Sequence, residues 1–524
     1  MPEWRNQVTR QSKAAKLEIW LPFRHFGFKN KLENPNSGAS LFQAYRQGNM
    51  GKNLSSANTL MPLANNVILL ILIGLSLVAI IATYLTQGPS WDFVAQFLNA
   101  RSYSTSQFIS GAFHLSNYFI VQNNLFYIEI FRPPIESAIL AVIMHFVQNP
   151  MLFYLIVLFS IFLLSIRFFG RSLNVDTLLV YGLMLNPYFI YLSFTVDSTD
   201  ILSLSMVLVA IAFLYKKDPM CGAFFALAGL SKYPALIFLP MVILLEKPGK
   251  VFMAFALFLL FTIPWLAINY VYFGSPLASY TSSIDITLAN PSLPTSISAY
   301  PAIIALLIPV AFLAFGLLQF KLKDIKKIIM HLRQDHSYAR MLSLFIPLSA
   351  ICYLILSMHS IQFDQIRFAD FIALSAILVS LPILQKGSEK MPTISRNIAI
   401  FSLLIMTIAT VSNFSAYHQS GNVYGPYNIN YNGSVVHMGL DKLSSMGYGG
   451  CKVFSNSWVY LVYLNANAYS PFSVNSTNSG TYPLIIFKQI GVSPSFISNL
   501  SRYKIAYNGS YYSILLPDNA SCVR

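Results

Sequence analysis

Long apolar runs separated by short polar stretches set the rhythm of this chain. The first, Val67–Leu85, begins after a polar and basic stretch of some sixty residues with no cleavage-site pattern behind it. Apolar segments follow at about 150–169, 177–194, 201–215, 219–231, 233–246, 251–273, 298–320, 341–357, 368–385 and 396–413. Since about 20 apolar residues cross a bilayer as a helix, these runs predict an α-helical polytopic membrane protein with about eleven transmembrane helices. A further stretch, Ile135–Gln148, is 14 residues long and carries Glu136 and His145, which suits an interfacial or re-entrant helix better than a span.

Composition agrees with the pattern. Of 524 residues, 55% are hydrophobic and only 10% charged, against about 25% charged in ordinary soluble domains. The net charge of +15 would suggest nucleic acid in a soluble protein, but its placement matters more here, and no nucleic-acid partner is expected. With eleven spans and a cytoplasmic N-terminus, 24 of the 34 Lys and Arg fall on the cytoplasmic side, as the positive-inside rule requires. An odd span count then leaves residues 414–524 outside. Sequons at Asn413, Asn432, Asn475, Asn499, Asn508 and Asn519 exceed what the tail's composition gives by chance, so a glycosylated external domain is expected.

The placement of the four cysteines excludes a zinc site and leaves one tail disulfide open, Cys451 with Cys522, in an oxidising compartment. Strand-like runs at Lys452–Ser455, Tyr482–Lys488 and Tyr511–Leu516, with a helical run at Trp458–Asn465, predict a small C-terminal extracytoplasmic α/β domain. The expected organisation is a basic cytoplasmic segment at 1–66, a transmembrane domain at 67–413 with an external loop at 87–134, and the external domain at 414–524. The host membrane, a plasma membrane or an internal one of the ER type, is left open.

On this topology the outer side of the membrane domain holds few acids, and intramembrane charges tend to be functional. Asp92 lies in Ser90-Trp91-Asp92-Phe93 at the start of the 48-residue loop Gln87–Pro134; it reads equally well as a helix cap or as a catalytic carboxylate. Asp197-Ser198-Thr199-Asp200 forms a second patch, for which a turn and a cap are the plainer reading. Lys232 and Arg367 sit at the outer boundary, as snorkelling anchors or as holders of an anion such as a lipid-linked phosphate. P-loop, dinucleotide, zinc-protease and nucleophile-elbow motifs are missing, and His114 and His145 are isolated.

The order of features resembles the GT-C superfamily of integral membrane glycosyltransferases, and most closely the branch with protein mannosyltransferases and aminoarabinose transferases. The resemblance rests on an Asp-bearing first loop, Phe131-Arg132-Pro133-Pro134 before a short helix, Asn186-Pro187, the outer Asp patch, Ser231-Lys232-Tyr233-Pro234, Arg367-Phe368 and an external C-terminal domain. It implies inverting transfer of a sugar, mannose being one candidate, from a polyprenyl or dolichyl phosphate to a lipid, glycan or protein acceptor on the extracytoplasmic side. It makes Asp92 the general base, Lys232 and Arg367 the donor phosphate ligands with Arg132 a further candidate, and calls for no cofactor or divalent metal. Phe93 stands where many relatives have a second adjacent acid, which leaves open whether Asp197 or Asp200 supplies one. The Trp-Trp-Asp signature of oligosaccharyltransferases is absent, so en bloc glycan transfer is not expected. The rival class is a transporter or flippase of lipid-linked or anionic substrates, which would place charges near the bilayer midplane in two related halves.

Overall fold

The computed structural model describes residues 55–104, 119–122, 126–194, 198–288, 300–319, 336–357, 367–391, 393–419, 428–429, 431–469, 482–488, 503–518 and 522. A long first helix, α1 (Ser55–Gln87), turns at Gly88 into α2 (Trp91–Ser104). The strands β1 (Phe119–Gln122) and β2 (Phe126–Glu129) form an antiparallel hairpin that leads to the short helix α3 (Pro134–Met144). The stretch 87–134, expected to be external, therefore carries structure of its own over its described residues.

The helical domain continues with α4 (Pro150–Ser172), α5 (Thr177–Met184) and a π-helical turn at Tyr188–Ser193. Next come α6 (Ser198–Tyr215), α7 (Cys221–Ser231) and a 3₁₀ stretch at Tyr233–Leu245. It closes with α8 (Pro248–Phe273), α9 (Ala278–Leu288), α10 (Tyr300–Leu317), α11 (His336–Ser357), α12 (Asp370–Lys390) and α13 (Thr393–Gln419). Local chemistry sets several boundaries. Asn149 and Asp176 cap α4 and α5 through side-chain bonds to Leu152 N and Leu179 N, and α8 stops at Gly274 in a left-handed conformation.

Six segments among the described residues are long and apolar enough to cross a membrane: Ala64–Gln87, Pro150–Ser172, Pro248–Phe273, His336–Leu356, Arg367–Glu389 and Thr393–Ser415. Several other expected spans are shorter or broken. The third is interrupted at Asn186-Pro187, and α7 stops at Lys232, which is extended (φ −153°, ψ 109°). At 1.5 Å per residue the 11 residues of α7 reach only about 16 Å, well short of a hydrocarbon core of about 30 Å. The same arithmetic keeps α3, also 11 residues, from spanning. The segment Arg367–Glu389 is central, whereas α8 turns Phe252, Leu260 and Val271 outward, an apolar surface suited to lipid contact.

Helix direction sorts the charges to two ends. At one end Glu246, after the 3₁₀ stretch, pairs with Lys217 (3.0 Å) and Arg340 (3.1 Å), and Gln385 accepts from the N–H of Asp176 (2.9 Å). Arg167 and Arg171 close α4 at this basic end. At the other end α13 meets α1 through Asn413 and Thr83 (3.4 Å), and the C-terminal domain sits on α2.

That domain begins with α14 (Val435–Leu443), then β3 (Val453–Ser455), α15 (Trp458–Tyr463), β4 (Ala468–Tyr469), β5 (Leu484–Phe487), β6 (Tyr503–Asn508) and β7 (Tyr512–Pro517). Its sheet runs β4-β3-β5-β7-β6, with β3 parallel to β4 and β5, and β7 antiparallel to β5 and β6. Cys451 and Cys522 are joined in a disulfide. The α15 face packs on α2 through Trp91 against Trp458 and Tyr460, and Phe97 against Tyr463.

Candidate active site

The turn before α2 is fixed by a close approach. Gly88 has φ +77°, and a Cβ there would lie 2.9 Å from the Asn428 backbone, so neither its conformation nor its space admits a side chain. Ser90 then caps α2, its hydroxyl accepting from Phe93 N (3.3 Å). Asp92 is therefore one residue inside the first turn and is not the cap that its sequence position allowed. Its carboxylate reaches instead to two arginines from distant parts of the chain. Oδ1 accepts from Arg132 Nη2 (2.8 Å) and Oδ2 from Arg367 Nη1 (2.6 Å).

Arg132 is anchored independently. Its Nε donates to the Glu129 carboxylate, and the Glu129 backbone is bracketed by the Asn99 side chain of α2, whose Oδ1 accepts from Glu129 N (2.9 Å). One residue on, the Ile130 carbonyl accepts from the Ser279 hydroxyl of α9 (2.6 Å). Ser279 is itself bonded to the Tyr233 hydroxyl, which accepts from the Trp265 indole (3.1 Å). Pro133 and Pro134 then force an extended entry to α3. The arginine is thus held by Asp92 and Glu129, with the backbone beside it tied to α2 and α9.

A second cluster lies beside the first. Lys232, at the break after α7, pairs with Asp200 in the first turn of α6. The Asp200 side chain is fully buried, and Asp370 at the start of α12 is buried within electrostatic range of the same ammonium. Phe368 joins the clusters: the Lys232 Nζ lies 5.3 Å and the Arg367 Cζ 5.0 Å from its ring centre. Neither cation snorkels to an interface, for each is buried and turned inward.

The sequence thus named Asp92, Asp200, Lys232, Arg367 and Arg132, and the fold gathers all five at one end of the helical domain. Asp197 and Asp364 lie outside the described residues. Glu129, Phe368, Asn99, Tyr233 and Ser279 were not picked out as a supporting set; Glu129 and Asp370 appeared only as members of a scarce class of outer acids.

Charge balance limits what this site can do. Burial pushes the Asp92 carboxyl up, but Arg367 and Arg132 outweigh it and hold the group well below the usual carboxylate range. So clamped, it is a carboxylate with little affinity for a proton. Each of the three cations already has a carboxylate partner, so an incoming anion must exchange with one of them. The partners are unequal: the side chains of Asp200 and Glu129 are 0% and 1% exposed, whereas Asp92 is 21% exposed. Asp92 is the carboxylate that can leave, and Glu129 still holds Arg132 after it does.

No family model and no curated protein matches this sequence. The fold is similar to a crystal structure of an oligosaccharyltransferase from Archaeoglobus fulgidus in the apo form, at 11% identity and a TM-score of 0.46, over 79% of this chain. The chain spans 65% of the length of that protein.

Proposed function

We propose that this protein is a membrane glycosyltransferase of the inverting GT-C type, transferring a sugar from a polyprenyl or dolichyl phosphate to a lipid, glycan or protein acceptor on the extracytoplasmic side. One observation carries the reading: a carboxylate with both oxygens held by arginines from separate elements, and more exposed than the other acids of the cluster. The donor phosphate takes the place of Asp92 between Arg132 and Arg367. Freed from both guanidinium groups, the Asp92 carboxylate regains proton affinity and accepts the proton of the acceptor hydroxyl. The acceptor oxygen bonds to the anomeric carbon as the bond from that carbon to the phosphate oxygen breaks on the opposite face. The electron pair leaves with the phosphate, and the two arginines stabilise it.

Lys232 adds positive potential from behind Phe368 while staying on Asp200, so Asp200 positions a cation in this scheme. Asp197 stays a candidate for a second carboxylate. The C-terminal domain, through α15 on α2, borders the acceptor side, and the basic end faces the cytoplasm. A carrier of the same lipid would need charges near the bilayer midplane; the described acids and cations of this chain gather at helix ends instead. Mass spectrometry of lipid-linked sugars and glycoconjugates from cells lacking the protein tests the reading. A polyprenyl phosphate sugar should accumulate while one glycoconjugate loses a sugar. Accumulation of the donor on the cytoplasmic leaflet alone would favour a flippase.

A further inference from the structure

Three cations at the basic end are matched by acids within the protein: Lys217 and Arg340 by Glu246, and Lys386 by Glu389. Arg167 and Arg171 differ. They lie one helical turn apart on α4, both are exposed, and neither guanidinium forms an ion pair or hydrogen bond with another described residue. Both line a cavity of about 530 Å³ between the stretch of α1 from Asn65 to Ile73, the end of α4 and the start of α5. Asn65, Asn66 and Thr177 provide polar groups at its rim, and Leu69, Ile73 and Leu178 form apolar wall. The Asp176 carboxylate also borders it, but Oδ1 is engaged in capping α5.

The surroundings identify the occupant. Leu70 (68% exposed) on α1, next to the lining Leu69, and Leu164 (64%) on α4, one turn before Arg167, carry exposed apolar surface from the cavity toward the middle of the helices. A charged cavity continuous with an apolar track fits an amphiphile whose head is anionic and whose tails lie on the track. A soluble phosphate would leave the track unused. We infer that the cavity is a binding site for an anionic phospholipid of the leaflet at the basic end, its phosphate held by Arg167 and Arg171. Basic pockets between transmembrane helices bind lipid head groups in this way, each Arg near the surface contributing about fivefold in affinity. The site is at the opposite end from Asp92 and does not depend on the proposed transfer reaction.

The test is native mass spectrometry and thermal unfolding of the full chain purified in nanodiscs, with anionic phosphatidylglycerol or zwitterionic phosphatidylcholine as the probe lipid. Phosphatidylglycerol should be retained and should raise the unfolding temperature. Arg167→Gln with Arg171→Gln should weaken its retention by about thirtyfold, whereas Lys386→Gln, at the same end, should change little. If the double variant fails to fold, Arg171→Gln alone should still weaken retention about fivefold. Equal retention of phosphatidylcholine, undiminished phosphatidylglycerol in the arginine variants, or equal stabilisation by inorganic phosphate would each overturn the assignment, the last in favour of a soluble anion.

Discussion

Replacing Asp92 with Asn should loosen the resting protein and tighten its hold on a phosphate at the same time. Asn keeps the shape and one acceptor oxygen but removes the charge shared by Arg132 (2.8 Å) and Arg367 (2.6 Å). Each pair, its charge centres taken as about 4 Å apart, amounts to about 4 kcal/mol of attraction at an effective dielectric of 20, before desolvation is subtracted. Removing one partner of a buried pair typically costs about 3–5 kcal/mol. With Asp92 still 21% exposed, the lower end, about 3 kcal/mol, is the expected loss of stability. Ser90 caps α2, so lost capping contributes nothing to that figure. A phosphate entering the variant no longer competes with a carboxylate, and its affinity should rise at least about tenfold, a gain of about 1.4 kcal/mol. Thermal unfolding and titration with sugar-free polyprenyl phosphate in nanodiscs measure both. Unchanged or weaker phosphate binding by the Asn variant would refute the exchange of anions at the arginine clamp.

Other expectations follow from the same contacts. Arg367→Ala should weaken donor binding and lower turnover together, which a donor titration separates from a loss of turnover alone. The depressed Asp92 pKa stabilises the fold above the unfolded value of about 3.9 and is lost as pH falls through the lower folded value; acid unfolding of the wild type should therefore show a step below about pH 4 that Asp92→Asn lacks. Asp200→Ala should cost about 3–5 kcal/mol by stranding Lys232, while joint replacement of Asp200 by Leu and Lys232 by Met restores stability in the same unfolding assay. Glycopeptide mapping should find sugar at the exposed Asn432 or Asn508 and none at Asn413, whose amide lies in α13 against Thr83 and Gln87.

Much of this arrangement was legible in the residues, because charge is scarce in an apolar chain. Lys232 and Arg367 stood out against an outer side nearly free of basic residues, and Asp92 against a long loop with few acids. What the sequence could not give is pairing. Asp92 and Arg367 are 275 residues apart, and nothing local announces that they meet. The cap at Ser90 was obscured because Asp and Ser both cap well and stand two positions apart. The helical count was the weaker part for a related reason: apolar length alone hides the breaks at Pro187 and Lys232, which are tertiary adjustments that bring Tyr188 and Lys232 inward. In the tail, strands β3, β5 and β7 were visible as alternating or apolar runs. The exposed edge strand β6 was missed although Tyr503, Ile505 and Tyr507 alternate with Lys504, Ala506 and Asn508, a signal too short to stand out beside the apolar runs.

Sugar transfer by purified protein, from a panel of polyprenyl phosphate monosaccharides to acceptor-bearing extracts, tests the central claim most directly. The account predicts a product of inverted anomeric configuration from one donor, with transfer by Asp92→Asn at least about a hundredfold slower although that variant binds sugar-free donor lipid more tightly. Transfer by the Asn variant at the wild-type rate, or a product of retained configuration, would contradict it.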